Sequence, residues 1–301
     1  MEIKNINLIL LIIILFLIYY TIGKYYKSTI FQQIDYFTET ETPTKPYLWQ
    51  YWDTIDGKEI PAYIKLCLKT VDKYCSESFE IVRLNKDNIL KYIPEITEYK
   101  DKIDKLIIAH KVDIYRILLL YKYGGMYMDA DIICLRDPIE VMDKINIDKH
   151  DFVGFGCTGK CSYGYGHPSN WILASKPKSI LMDNIFKNLS NKLKTQDKFE
   201  YHDLGKMVIW EELDKLIKEK NYKYYHYPNK FDGSRDKYSN WIDSSIVFSN
   251  NKVEYEDEKN MLFFVFYSSG VDNKIKKMSE KELLSKDWLY TKFLKRALEL
   301  N

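Results

Sequence analysis

Two aspartates one residue apart, Asp129 and Asp131, are the residues of this sequence whose type and spacing most directly indicate chemistry. On an extended segment alternate side chains share a face, so both carboxylates are expected on one side with Met128 and Ala130 turned into the protein. Like charges held this close attract a cation, and Mg²⁺ or Mn²⁺ binds through one or two carboxylates plus substrate phosphates. The pair therefore predicts a metal-bound diphosphate site, although two solvated loop acids would show the same pattern.

The segment before the two acids predicts a buried helix that ends in a tight turn. Its apolar side chains recur at helical spacing; they are Ile107, Ile108, Val112, Tyr115, Leu118 and Leu119. Gly124 stands where a left-handed C-terminal cap belongs. Asp113 and Arg116 are three residues apart and share a helix face. They are either a surface ion pair or, because the helix leads into the two acids, residues that orient a donor substrate.

A longer stretch around this helix resembles a known family. Residues 109–132 read AHKVDIYRILLLYKYGGMYMDADI, after LWQYWD at 48–53 and FEIVRLNKDNI at 79–89 and before FVGFG at 152–156 and NWILASKP at 170–177. Together they resemble the D-x-D glycosyltransferases related to the capsular polysaccharide synthesis protein family, and more distantly the initiating mannosyltransferases and glucosylating toxins. The resemblance covers about residues 46–215. It implies a GT-A type, Rossmann-like α/β domain with a mixed central sheet.

The resemblance also implies roles for single residues. Trp49 matches an aromatic that stacks on the nucleotide base, with a tryptophan packed in the core as the alternative. Asp113 and Arg116 match positions that contact the donor sugar. Asp129 and Asp131 match the motif that holds Mn²⁺ or Mg²⁺ on the diphosphate, with Asp129 also at the donor.

Two further positions follow from the same resemblance. Asn170 matches a polar residue that faces the transferred sugar. Relatives often complete the metal shell with a histidine near a C-terminal strand, whereas residues 261–270 read MLFFVFYSSG and contain no histidine. Ser268, Ser269 or water are the candidates for the missing ligand.

The composition of the chain limits which classes of protein and which partners are expected. The 301 residues are 46% hydrophobic, which is enough for one sizeable core. The net charge of +2 provides no field for binding a polyanion, so nucleic acid is not an expected partner. The cysteines number five, and free thiols are expected. A zinc site or local disulfide at Cys157 and Cys161 is the alternative, although the neighbouring histidines do not follow usual zinc spacings.

The N-terminus predicts a membrane anchor. Residues 6–22 are apolar apart from Asn7 and Thr21, which is short for a span of about 20 residues. A cleaved signal peptide needs small residues at its exit, but bulky and charged residues follow here. We therefore expect a cytoplasmic tip and transmembrane anchor at 1–22, a polar stem at 23–45 and the catalytic domain at 46–301.

The orientation of this anchor rests on two conflicting arguments. Lys24 and Lys27 follow the span, which by the positive-inside rule favours a cytosolic catalytic part. Membrane-anchored glycosyltransferases of eukaryotic secretory compartments usually take the opposite topology. We expect a single-pass type II membrane protein with a lumenal catalytic domain.

The residues that begin and end secondary-structure elements predict a β-α-β unit at the start of the catalytic domain. Strands at 48–52 and 79–84 flank a helix that Pro61 opens, which would place Trp49 at the carboxyl edge of a parallel sheet, where nucleotides bind. The other predicted elements are a helix at 139–147, a strand at 152–155, a flap or irregular loop at 157–167, helices at 178–192 and 206–220, a buried strand at 261–267, and a last helix opened by a capping box at Ser279 and Glu282 and carrying Leu284, Trp288, Leu294 and Leu298.

These features predict a metal-dependent glycosyltransferase that moves a hexose from a nucleotide-diphosphate sugar to a glycan or other hydroxyl acceptor. The relatives imply retention of the anomeric configuration, whereas inversion would require a base such as Asp151 or Asp203. One alternative is a catalytically inactive carbohydrate-binding or scaffold protein. Another is a haloacid-dehalogenase-like phosphatase, but its signature departs from this sequence at Ile133 and belongs on the first strand of a domain.

Overall fold

The computed structural model describes Tyr20 and residues 44–54, 59–156, 167–220, 222 and 224–300. The chain from Lys45 onward forms one compact unit. The predicted anchor and nearly all of the predicted stem lie outside the described residues, as does most of the predicted flap. Within the described ranges no helix is both long and apolar enough to cross a bilayer.

Eight strands and eleven α-helices make up the described part. The strands are β1 (Tyr47–Tyr51), β2 (Glu80–Leu84), β3 (Gly125–Met128), β4 (Ile133–Cys134), β5 (Phe152–Phe155), β6 (Ile172–Ser175), β7 (Tyr225–Tyr227) and β8 (Phe263–Phe264). The helices are α1 (Ala62–Cys75), α2 (Ile89–Tyr92), α3 (Lys100–Ile103), α4 (Ile108–Tyr123), α5 (Ile139–Asn146), α6 (Ile180–Thr195), α7 (Lys206–Lys220), α8 (Ser244–Val247), α9 (Asn273–Lys276), α10 (Glu280–Leu284) and α11 (Leu289–Leu298).

Six of the strands form one mixed sheet in the order β2-β1-β3-β6-β5-β7, and β4 pairs with β8 in a separate ribbon. β1 is parallel to β2 and to β3, whereas β6 is antiparallel to β3 and to β5. The predicted α/β class with a mixed sheet is therefore confirmed. β5 is parallel to β7, so within this sheet only β6 runs against the central strand β3.

Side chains of the central strands alternate between two buried layers, as the two-residue period of a strand requires. Trp49 and Tyr127 face the layer of α4, α6 and α7. Leu48, Met126 and Met128 face the opposite layer, which contains residues of α1 and α5. Both faces of the central strand are thus covered, so only residues at its end can contact a ligand.

Several predicted elements before residue 221 agree closely with the structure. β1 and β2 lie within one residue of their predicted bounds, α1 begins directly after Pro61 as predicted, and β5 and α7 coincide with their predicted ranges. The predicted burial at the start of α4 was wrong, because Ile107 and Ile108 are about half exposed. They precede the point where the helix enters the core.

Two predictions for the C-terminal part were wrong. The strand expected at 261–267 is reduced to β8, because Leu262 and Val265 donate backbone hydrogen bonds to Phe231 and Asp232, at the end of a short 3₁₀ helix, and not to a partner strand. The capping box at Ser279 and Glu282 is present, but it opens only the short α10. A separate helix, α11, follows, because the amide of Leu289 donates to the carbonyl oxygen of Ser249 and not to Ser285, four residues before it, as a continuous helix would require.

The cysteines of the described part are free thiols, as expected. Cys67, Cys75 and Cys134 are buried, and the sulfurs of Cys75 and Cys134 are 3.8 Å apart. Cys157 and Cys161 lie outside the described residues.

Candidate active site

The two predicted metal-binding acids follow the central strand directly. β3 ends at Met128, and residues 129–131 form a turn at its carboxyl end. Met128 and Ala130 are buried, whereas Asp129 and Asp131 are half-buried and reach the surface. The predicted alternation of exposure is therefore observed, but the expected extended backbone is replaced by a turn.

Gly124 and Gly125 explain how β3 can begin directly after α4. Gly124 has φ 65° and ψ −151°, so the expected positive φ is present, but the ψ lies outside the left-handed helical region and in one almost confined to glycine. A Cβ at Gly124 would lie 2.6 Å from Cδ of Pro177, and one at Gly125 would lie 2.4 Å from the carbonyl oxygen of Tyr47. The chain can thus pass from helix to central strand without a loop.

A buried network of charges connects the helix to the first acid. Arg116 donates from Nη1 to Oδ1 of Asp113 at 2.9 Å and from Nη2 to Oδ1 of Asp129 at 2.8 Å. Nδ2 of Asn170 donates to the same Oδ1 of Asp113 at 2.7 Å. Asp113 is 6% exposed and Arg116 4%, so the alternative of a surface ion pair is wrong. The guanidinium of Arg116 also lies 4.8 Å from the ring centre of Tyr127.

The second acid is held from the C-terminal half of the chain. Oδ2 of Asp131 accepts a hydrogen bond of 3.1 Å from the backbone amide of Ser268. The hydroxyl of Ser268 is hydrogen-bonded to the hydroxyl of Tyr63 at 2.7 Å. The segment expected to supply a metal ligand therefore does reach Asp131, but Ser268 contacts it through a hydrogen-bond donor.

Burial sets the electrostatics of this cluster. It raises the pKa of Asp113 to about 7, although the charge of Arg116 opposes the rise. Burial and then the charge of Asp129 raise the pKa of Asp131 to about 7. Burial alone would lower the pKa of Arg116, but the carboxylates of Asp129 and Asp113 raise it, so Arg116 stays charged. Arg116 thus pairs with Asp113 and Asp129 but not with Asp131, and a bound cation would relieve the repulsion between Asp129 and Asp131.

The donor set fits a metal that shares its coordination with a substrate. Among the described residues no group of three or more His, Cys, Asp or Glu side chains is placed to hold an ion. Asp129 and Asp131 offer two carboxylates in a half-buried turn, which matches the way Mg²⁺ is bound by one or two carboxylates, phosphates and water. These residues therefore fit a divalent cation on a diphosphate.

Trp49 does not belong to this cluster. It is fully buried, its Nε1 donates to the carbonyl oxygen of Gly124 at 2.9 Å, and its ring packs among Tyr47, Tyr92 and Tyr123. Its place on the inward face of β1, two residues before the strand ends, leaves no ring face for a nucleotide base. The predicted stacking role is wrong, and the alternative of a core tryptophan is correct.

Asp151 and Asp203 are the two carboxylates predicted as candidates for the base of an inverting reaction. Asp151 precedes β5 at the sheet edge opposite to Asp129, and Lys176 pairs with its carboxylate at 3.0 Å. Asp203 accepts a hydrogen bond from the backbone amide of Glu200. The position of Asp151 therefore rules it out as a base for chemistry at Asp129 and Asp131.

Residues that sequence reasoning missed also border the site. Trp52 follows the end of β1 and is half-buried, and the register of Leu48 with Met126 brings the end of β1 beside the turn after β3. Its signal was the second tryptophan of LWQYWD. Gly205 precedes α7, and a Cβ there would lie 2.4 Å from the carboxyl carbon of Asp113. No local pattern marks that contact.

The structure defines an α/β protein with two paired acids directly after its central strand. The family that matches residues 16–231 is described as capsular polysaccharide synthesis protein. The chain belongs to this capsular polysaccharide synthesis protein family, which confirms the family predicted from the D-x-D region.

Known relatives agree with this assignment. The chain is 29% identical over 136 residues to an uncharacterized glycosyltransferase of Acanthamoeba polyphaga mimivirus, which is 44% of this chain and 48% of the relative. It thus spans about half the length of that curated relative.

Similar solved structures include the PaToxG glycosyltransferase, at 17% identity and a TM-score of 0.43 over 67% of this chain and 80% of that one. They also include the glycosyltransferase GlyE of Streptococcus pneumoniae, at 14% identity and a TM-score of 0.46 over 85% and 64%.

Proposed function

We propose that this protein is a metal-dependent glycosyltransferase of the GT-A type that moves a hexose from a nucleotide-diphosphate sugar to a hydroxyl of a glycan or other acceptor. One observation carries the proposal: the half-buried Asp129 and Asp131 directly follow the central strand, and the buried Arg116 joins Asp129 to Asp113, which in turn accepts a hydrogen bond from Asn170. Buried charges cost free energy, so a linked set of this kind beside surface carboxylates is typical of a functional site.

Asp129 and Asp131 would hold Mn²⁺ or Mg²⁺ on the diphosphate. A bound ion supplies neutralisation of the charge that develops on the departing diphosphate. Arg116 fixes one oxygen of Asp129, and the amide of Ser268 fixes one oxygen of Asp131. Both carboxylates are therefore oriented before any ligand arrives, which lowers the entropic cost of binding.

Asp113 and Asn170 would orient the transferred sugar. Asp113 lies behind Asp129 on the same guanidinium, and Asn170 lies just before β6 at the same sheet edge. A carboxylate accepts hydrogen bonds from sugar hydroxyls, and an amide both donates and accepts. The low exposure of Asp113 and Arg116 excludes water from this side and strengthens the contacts.

Trp52 replaces Trp49 as the candidate for the nucleotide base. Nucleotides bind at the carboxyl ends of parallel strands, and Trp52 directly follows the carboxyl end of β1. It is half-buried, so part of its ring remains accessible for stacking.

Retention of the anomeric configuration fits this set of residues. The acceptor oxygen would bond to the anomeric carbon on the face from which the diphosphate leaves, while the bond from that carbon to the diphosphate oxygen breaks. The acceptor proton would pass to the departing diphosphate, so no protein base is needed. The location of Asp151 at the opposite sheet edge supports this route over inversion through that residue.

The test is turnover of a nucleotide-sugar panel by the full chain, with Mn²⁺ and with a chelator. We expect metal-dependent release of nucleoside diphosphate, and a loss of at least about 100-fold in Asp131→Asn. Asp101→Asn, at an exposed acid on α3, is the matched control and should be unchanged. Release that persists without metal would contradict the proposal. Cleavage of phosphomonoesters would instead identify a phosphatase, and binding without turnover an inactive carbohydrate-binding protein.

We also propose that residues 6–22 anchor the protein as a single-pass type II membrane protein with a lumenal catalytic domain. The apolar run of that segment and the bulky residues after it support the anchor. The lumenal orientation is supported by the usual topology of membrane-anchored glycosyltransferases of eukaryotic secretory compartments, and Lys24 and Lys27 oppose it. Protease protection of the full chain in sealed microsomes tests this. A protected catalytic domain is expected, and its digestion without detergent would contradict the topology.

A further inference from the structure

A second set of aromatic side chains borders the two acids and has no part in the donor site described above. The ring centres of Trp171 and Trp241 are 5.9 Å apart, those of Trp241 and Tyr267 are 5.1 Å apart, and those of Trp171 and Tyr267 are 6.2 Å apart. Trp171 is 8% exposed, Trp241 is half-buried and Tyr267 is 37% exposed. This acceptor-side cluster therefore presents aromatic surface to solvent.

Each of the two acids is tied to this cluster by one backbone hydrogen bond. The amide of Asp129 donates to the carbonyl oxygen of Trp171 at 2.9 Å. Ser268, whose amide donates to Asp131, is the next residue after Tyr267. Trp171 and the residue after Tyr267 thus each contact one of the two acids that would carry the metal and diphosphate.

The topology of the sheet separates this cluster from the expected place of the nucleotide. β1 and β2 lie on one side of β3, are parallel to it, and end beside Trp52. Trp171 directly precedes β6, which lies on the other side of β3. Because the nucleotide is expected at the carboxyl ends of β1 and β2, the rings beside β6, on the other side of β3, are left for the other substrate.

The rings are held in place from behind. A Cβ at Gly156 would lie 2.8 Å from Cζ2 of Trp171 and 2.7 Å from Oδ2 of Asp232, so only glycine lets the backbone approach the indole this closely. The guanidinium of Arg235 lies 5.6 Å from the ring centre of Trp241, and the two residues form an isolated β-bridge. Pre-positioned rings lose little entropy when a ligand packs on them.

We propose that Trp241 and Tyr267 form the surface on which the sugar ring of the acceptor packs, with Trp171 as its support. The C–H face of a pyranose is apolar and packs on an aromatic ring, while its hydroxyls stay hydrated or reach neighbouring polar groups. This inference rests on the proposed glycosyltransferase function and assigns a carbohydrate, in contrast to a lipid or peptide hydroxyl, as the acceptor. A sugar on these rings would place a hydroxyl beside the diphosphate held at Asp129 and Asp131.

The first test needs no turnover. Saturation-transfer NMR is recorded on the full chain with Mn²⁺ and a nucleoside diphosphate, using the methyl glycosides of glucose, galactose and mannose as probes. We expect transfer to the ring C–H protons of at least one glycoside, and its loss in Tyr267→Ala and in Trp241→Ala. Tyr267→Phe, which keeps the ring, should retain it, and Tyr238→Ala, at an exposed aromatic outside the cluster, should also retain it. Transfer that survives both alanine variants would overturn the proposal.

Kinetics provide the second test and separate this inference from the proposed function. In Tyr267→Ala the KM for a saccharide acceptor should rise about tenfold more than the KM for the donor. A wild-type chain without metal-dependent donor turnover would refute the glycosyltransferase proposal itself. A wild-type chain that transfers sugar, with an acceptor KM that Tyr267→Ala and Trp241→Ala leave unchanged, would refute only the acceptor surface.

Discussion

The molecule contains two tryptophan-centred aromatic clusters with opposite characters. Around Trp49, the rings of Tyr47, Tyr92 and Tyr123 enclose the indole completely, and its Nε1 is bound to a backbone carbonyl oxygen. In the acceptor-side cluster, Trp241 and Tyr267 keep part of their rings in solvent beside the two acids.

The difference follows from where each cluster lies on the sheet. Trp49 points from the middle of β1 into the layer of α4, where a large ring contributes to the core. Trp171 precedes β6, and Trp241 and Tyr267 lie outside the sheet strands, near the end of the central strand. An aromatic residue thus stabilises the fold or offers a binding surface according to its distance from the strand end, and residue type alone does not distinguish the two.

The largest expected effect is on stability at the buried cluster. Trp49→Ala should lower the free energy of unfolding by about 3–5 kcal/mol, because it removes a fully buried indole and leaves a cavity. Tyr267→Ala should lower it by less than about 1.5 kcal/mol, since over a third of that residue is exposed. Denaturant unfolding of both variants measures the contrast, and equal losses would break the distinction between the clusters.

The next effect concerns the carboxyl behind the acceptor-side cluster. Asp232 is fully buried, and burial raises its pKa to about 6 although hydrogen bonds from Ser234 oppose the rise. Because the folded pKa exceeds the unfolded one of about 3.9, the stabilisation from its proton is complete below about pH 4 and is lost as pH rises through about 6.

This shift corresponds to up to about 3 kcal/mol of pH-dependent stability. Asp232→Asn should flatten the decline of the unfolding free energy between pH 4 and pH 7 by that amount. The measurement is urea unfolding at a series of pH values, with Asp101→Asn as the control. An unchanged pH profile in Asp232→Asn would show that this carboxyl titrates normally.

A smaller effect is expected at Trp52, which is half-buried, whereas Trp49 is fully buried. Trp52→Ala should weaken the Mn²⁺-dependent binding of a nucleoside diphosphate by about 1–3 kcal/mol, the value of one base–aromatic stack. Calorimetric titration of the full chain measures this. The same affinity in Trp52→Ala and wild type would assign the base to a different surface.

How far the sequence predicted this molecule depended on whether a contact is local. Asp113, Arg116 and Asp129 could be placed together because one helix, two glycines and one strand connect them. The contact of Asp131 with Ser268 spans 137 positions, so no local pattern could specify its chemistry.

Side-chain direction was the second limit. Trp49 was placed correctly on the first strand, but its burial depends on α4 packing over that face. The turn at 129–131 likewise replaces the expected extended segment, and the residues that hold it, Trp171 and Ser268, come from later in the chain.

The most direct test of the account is a crystal of the protein soaked with Mn²⁺ and a nucleoside diphosphate, measured for anomalous scattering. The account predicts one manganese peak within about 2.0–2.6 Å of a carboxylate oxygen of Asp129, of Asp131 and of a diphosphate oxygen. A bound diphosphate with no peak at these acids, or a peak elsewhere, would contradict it.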